Sequence, residues 1–141
     1  MKELKMLTKS GNVEHLEVYE QIYFYDGTKL APETLVALLP KLSRIFLNAY
    51  TITEETMKNL IKLEHPKQLS RIIWYRIEEE INVNLLCQFL EKHHEPGGIF
   101  RAWFSDDDYN ERFGKEICEK MEKWEPKTRK PSNFPEINMP N

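Results

Sequence analysis

Proline and glycine cut this chain into short segments, and that punctuation limits its elements more than any other feature. Asp26-Gly27, Pro32, Pro40, His65-Pro66 and Pro96-Gly97-Gly98 each mark a stop or a start, and four further prolines crowd the last sixteen residues. Proline lacks the backbone donor that a helix interior or a central strand uses, so each regular element must end near these positions or bend at them.

Between the breaks, hydrophobic periodicity assigns the elements. Leu16, Val18, Ile22 and Phe24 alternate with Glu17, Tyr19, Gln21 and Tyr23, the period of a half-buried strand. Ser10-Gly11-Asn12 separates it from Leu4 to Leu7, so residues 3 to 25 read as a β-hairpin. Leu35, Leu38, Leu39, Leu42, Ile45, Phe46 and Ala49 follow at helical spacing, and the stripe stays in phase through Pro40, which predicts one helix kinked there. Thr51-Ile52-Thr53-Glu54 fits a capping box for a short helix through Met57, Leu60 and Ile61. Pro66 then opens a central helix whose stripe runs from Leu69 through Ile72, Ile73, Ile77, Ile81 and Leu86 to Leu90.

Ile99 to Phe104 is consistent with an added strand. Ser105 and three aspartates cap a last helix striped by Tyr109, Phe113, Ile117, Met121 and Trp124. No internal repeat is apparent. The expectation is an α+β fold, mostly helical, with three to four helices packed on a short N-terminal β-hairpin. Residues 1–125 would form a single domain, and residues 126–141 an extended or disordered proline-rich tail.

A chain of 141 residues with 40% hydrophobic content can build one core without staples. Its longest apolar run, Leu35 to Leu39, is five residues, and the Met-Lys-Glu-Leu-Lys start lacks the apolar region of an export signal, so neither a membrane span nor secretion is expected. Cys87 and Cys118 sit in helix-like patterns and read as reduced thiols, which suits the cytoplasm.

The search for chemistry is negative. Glu91 and His94 have a metal-binding spacing, but no second Glu-x-x-His accompanies them, and histidines at a helix C-terminus also complement its dipole. Ser43, Ser70 and Ser105 lack an elbow motif, and Gly97-Gly98 lacks the remaining residues of a phosphate loop. No cofactor, metal or catalytic residue is assigned, and the chain reads as non-enzymatic.

Charge is uneven. Residues 1–77 carry a net +2, residues 78–125 a net −7 and residues 126–141 a net +2. An acidic middle suits a basic protein partner. The leading expectation is therefore a protein-binding inhibitor, immunity protein or adaptor. It would use Glu78, Glu79, Glu80, Trp103, Asp106, Asp107, Asp108 and Glu111. The stretch from Phe104 to Phe134, with its acids, its Lys-Glu-Ile, its Glu-Lys-Trp and its basic proline-containing end, resembles small colicin immunity proteins over less than a quarter of the chain. The second expectation is a nucleic-acid-associated helical subunit binding through Lys67, Arg71, Trp74, Arg76, Lys127, Arg129 and Lys130. In the central helix, Trp74, Tyr75 and Arg76 would stand beside the core stripe and edge a groove, and Phe100-Arg101-Ala102-Trp103-Phe104 is a second run of the residue types that dominate binding hot spots.

Overall fold

A computed structural model describes residues 12–122 of the chain. They form four strand–helix units: β1 (His15–Val18), α1 (Pro32–Leu38), β2 (Arg44–Asn48), α2 (Glu54–Lys62), β3 (Leu69–Ile77), α3 (Val83–His93), β4 (His94–Phe104) and α4 (Asp107–Glu122). The strands make one sheet in the order β1-β2-β3-β4, and every pairing is parallel. Right-handed crossovers between successive neighbouring strands all fall on the same side, which gathers the connecting helices on one face of the sheet.

This overturns the mostly helical expectation: the fold is α/β, with four helices and a four-stranded all-parallel sheet. The partner of β1 is the parallel β2, not an N-terminal strand, and the Leu4 to Leu7 arm of the expected hairpin lies outside the described residues. An all-helical immunity-protein fold has no counterpart to this sheet. The expected kinked helix is in fact two elements. α1 stops at Leu38, and Pro40 lies in the turn that leads into β2, so proline ends the helix here and does not bend it. The expected central helix is likewise β3, a loop and α3.

The cause is the same in both places. A parallel strand with apolar residues on both faces reads as a nearly continuous hydrophobic run without clean alternation. In β2, Ile45 and Leu47 point into the core while Phe46 points the other way; in β3, Ile72 and Trp74 are core residues and Ile73 lies between them. Leu42, Ile45, Phe46 and Ala49 then imitate a helical stripe, as do Leu69, Ile72, Ile73 and Ile77.

A repeat is present after all. The paired positions His15, Arg44, Arg71 and Ile99 stand 29, 27 and 28 residues apart. Leu42-Ser43-Arg44-Ile45 and Leu69-Ser70-Arg71-Ile72 are the same tetrapeptide, 27 residues apart, and Arg44 and Ile45 pair in register with Arg71 and Ile72. Its serines do the same work twice: the Ser43 amide donates to the Glu14 carbonyl at 2.9 Å, and the Ser70 amide donates to the Ser43 carbonyl at 2.7 Å. Gly98 holds the next rung, where an added Cβ would come within 2.6 Å of the Ser70 carbonyl oxygen. The last residues of β2 and β3 are followed or crossed by matching left-handed turns at Ala49 (φ 56°) and Arg76 (φ 54°), also 27 residues apart.

The core lies between sheet and helices. Leu16, Ile45, Leu47, Ile72, Trp74, Phe100 and Phe104 meet Leu35, Met57, Leu60, Leu86, Phe89 and Phe113 in one cluster. Trp74 stacks on Phe89 at 5.9 Å and meets Phe100 edge-on at 5.6 Å. Helix starts are capped by Thr53, Asn82 and Asp106, whose side chains accept from the amides of Thr56, Leu85 and Tyr109. Asp106, not Ser105, therefore performs the last of these roles. Tyr50 donates to the Leu30 carbonyl at 2.6 Å inside the core, and burial pushes its phenol up to about 12.

Candidate interaction surface

With the helices on one side, the opposite sheet face presents three rows across the strands. The register places His15, Arg44, Arg71 and Ile99 in the first and Glu17, Phe46, Ile73 and Arg101 in the second. Asn48 and Tyr75 make the third, with Trp103 in ring contact with Tyr75 and Tyr19 beside Asn48 and Phe46. Ile73 is only 5% exposed yet does not belong to the main core cluster, which shows that a second, smaller apolar patch forms on this side.

Aromatic rings connect the patch. Tyr19 lies 5.3 Å from Phe46, Phe46 meets Tyr75 edge-on at 5.4 Å, and Tyr75 meets Trp103 edge-on at 6.1 Å. Phe46, Tyr75 and Trp103 are half-buried, whereas Tyr19 is 59% exposed.

Tyr19 also begins the β1–α1 loop, which carries further exposed aromatics. Among the described residues, five large hydrophobic side chains are exposed, and four of them are Tyr19, Tyr23, Phe24 and Tyr25. The loop is held in shape by its own bonds. The Phe24 amide donates to Thr28 at 2.8 Å, the Gly27 amide donates back to Phe24 at 3.0 Å, and Tyr23 bridges Lys29. Asp26 accepts from both the amide and the hydroxyl of Thr28, which lowers its carboxyl below the ordinary value. Tyr25 projects from this turn at 91% exposure.

The expected site residues divide. Glu78, Glu80, Asp107, Asp108 and Glu111 are exposed, with Glu78 to Glu80 following β3 and Asp106 to Asp108 following β4 at the same end of the sheet. Two of the acids have structural roles: Glu79 accepts from the Ile52 amide at 3.1 Å, and Asp106 caps α4. Trp103 is on the open face, one end-row away from this edge. Of the basic set, Arg71 is on the open face, Lys67 pairs with Glu14 at 3.5 Å, and Arg76 donates to Asn48 at 3.0 Å. Trp74 is 2% exposed in the core, so it cannot edge a groove; its strand neighbour Tyr75 takes the outward place. Lys127, Arg129 and Lys130 lie outside the described residues. Sequence reasoning did not single out Arg44, Phe46 or Tyr25, although the outward phase of Tyr19 and Tyr23 was visible; Tyr75 and Arg101 belong to its two aromatic and arginine runs.

Other concavities offer less. A cleft of about 200 Å³ is lined by Gln21, Lys29, Glu33 and Thr51 among others, below the roughly 300 Å³ at which small-molecule sites begin. Among the described residues no three His, Cys, Asp or Glu side chains form a metal-holding group. His94 is buried, with one ring nitrogen 2.8 Å from the Glu95 carbonyl and the other 2.9 Å from that of Ile99, leaving neither nitrogen for a metal. No described helix is long and apolar enough to cross a membrane. No family model, curated protein or solved structure matches the chain.

Proposed function

We propose that this is a non-enzymatic protein-binding domain that uses the open face of its parallel sheet and the adjoining β1–α1 loop. The observation that carries the reading is the Tyr19–Phe46–Tyr75–Trp103 run of ring contacts on the open face, with Tyr23, Phe24 and Tyr25 exposed in the loop that Tyr19 begins. Exposed apolar patches of this kind are costly in water and mark interaction surfaces, and Tyr, Trp and Arg dominate binding hot spots. Stacked strand–helix units commonly present an extended face for this purpose. Cys87 and Cys118, which form no disulfide, suit action in a reducing compartment such as the cytoplasm.

An inhibitor or immunity role toward a basic partner would draw on Glu78, Glu80, Asp107 and Asp108, since Glu79 and Asp106 are committed to backbone donors. The aromatic face offers more apolar area and a fixed geometry.

The test is affinity capture from the host's lysate with the full chain, a Tyr25→Ala/Trp103→Ala variant, and a Lys58→Ala control on α2. A protein held by the full chain and the control, but lost with the double variant, supports the open face. Capture that is indifferent to both aromatics, or only nucleic acid that salt releases, overturns it.

A further inference from the structure

We infer that the open face takes an acidic polypeptide segment, whose carboxylates sit on Arg44 and Arg71 while an apolar side chain beside them packs on Phe46 and Ile73. This rests on the reading of that face as a binding surface and names its partner class. Arg44 and Arg71 are register partners on adjacent parallel strands, about 4.8 Å apart at the backbone, and both are exposed. Among the described residues, neither has an ion-pair partner.

Like charges placed side by side destabilise a sheet, so the free fold gains nothing from this arrangement, whereas an anion laid across both guanidinium groups would relieve it. Arg101 stands one row further along, as register partner of Ile73. Among the described strand residues of this face the one carboxylate is Glu17, and it already accepts from the Tyr19 hydroxyl at 2.9 Å and faces His15 at 3.5 Å. The face is thus net positive, and planar guanidinium forks match carboxylates in two-point contact.

Phosphate carries the same sign, but one observation favours a polypeptide. The aromatic rings meet edge-on at 88°, which offers no run of parallel faces for bases to stack on.

The experiment selects a random twelve-residue peptide display library on the immobilised full chain, then measures the enriched peptides in solution by fluorescence anisotropy. We expect enriched sequences to carry two or more carboxylates flanking an apolar residue. Arg44→Gln/Arg71→Gln should weaken them at least tenfold while leaving the melting temperature unchanged or higher. Enriched peptides without excess acid, equal affinity for the double variant, an empty selection, or tighter binding of a twelve-residue oligouridylate would each overturn the acidic-partner inference. Trp103→Ala separates the two levels. Neutral peptides that lose affinity in that variant would leave the open-face reading standing, whereas enriched peptides indifferent to Arg44→Gln/Arg71→Gln, Trp103→Ala and Tyr25→Ala alike would sink both.

Discussion

Two adjacent histidines mark the junction of α3 and β4, and both are buried, His93 at 4% and His94 at 2% exposure. Burial holds both below their ordinary value, because the interior disfavours the charged imidazolium. The neighbouring Lys92 pushes His93 the same way, whereas the carbonyls of Ile99 and Glu95 pull His94 back up. A depressed folded value means that the unfolded chain takes up protons first as the pH falls through 6.5. Stability is then lost between that point and the lower folded values, by up to about 1.4 kcal/mol per histidine for each unit of depression. The melting temperature should therefore hold steady from pH 8 to 7 and fall from pH 7 to 5.5, with a shallower fall in His93→Gln. A melting temperature that rises on acidification would mean that the two carbonyls hold His94 as the imidazolium.

At the scale of elements, alternate positions along β3 and β4 have opposite fates. Trp74 is enclosed by Phe89 and Phe100, so Trp74→Ala should cost about 3–5 kcal/mol in urea denaturation. Trp103, half-buried on the open face and touching Tyr75 by an edge, should cost about 1 kcal/mol. Equal losses would mean that the two faces contribute alike to the fold and that the open face is core. The same alternation explains what the sequence could reveal. The outward phase of Glu17 and Tyr19, the helix through Met57 and Leu60, and the stripe from Tyr109 to Met121 were all legible, since each has one dry face and one wet face. β2 and β3 were not, because Phe46 and Ile73 fill the positions where a one-sided strand would be polar, and helical spacing then puts Trp74 at the same edge as Tyr75 when only Tyr75 faces outward. The tetrapeptide shared by residues 42–45 and 69–72 was the available signal for both strands and for Arg44 and Arg71.

Across the molecule, the substantial contacts join sequence neighbours: each strand to the next, α1 to α2, α2 to α3, and α3 to α4. Chains built this way have stability close to a sum of unit and nearest-neighbour terms, so protection against opening should depend on position in the stack. β3 is paired on both sides over most of its length, while β1 has four residues and pairs with β2. Its buried side chains are Leu16 and Val18, against Leu69, Ile72, Ile73, Trp74 and Ile77 in β3. Native-state hydrogen exchange should find the amides of Ile72 to Trp74 slowest and those of Leu16 to Val18 at least tenfold faster, an opening cheaper by about 1.4 kcal/mol or more. Because the β1–α1 loop carries Tyr23, Phe24 and Tyr25, the least protected unit is also the one that displays the most exposed aromatics. Binding that orders this unit should slow exchange in β1 without changing β3. Equal protection of β1 and β3 in the free chain would instead make the sheet one cooperative body and remove the reason for that difference.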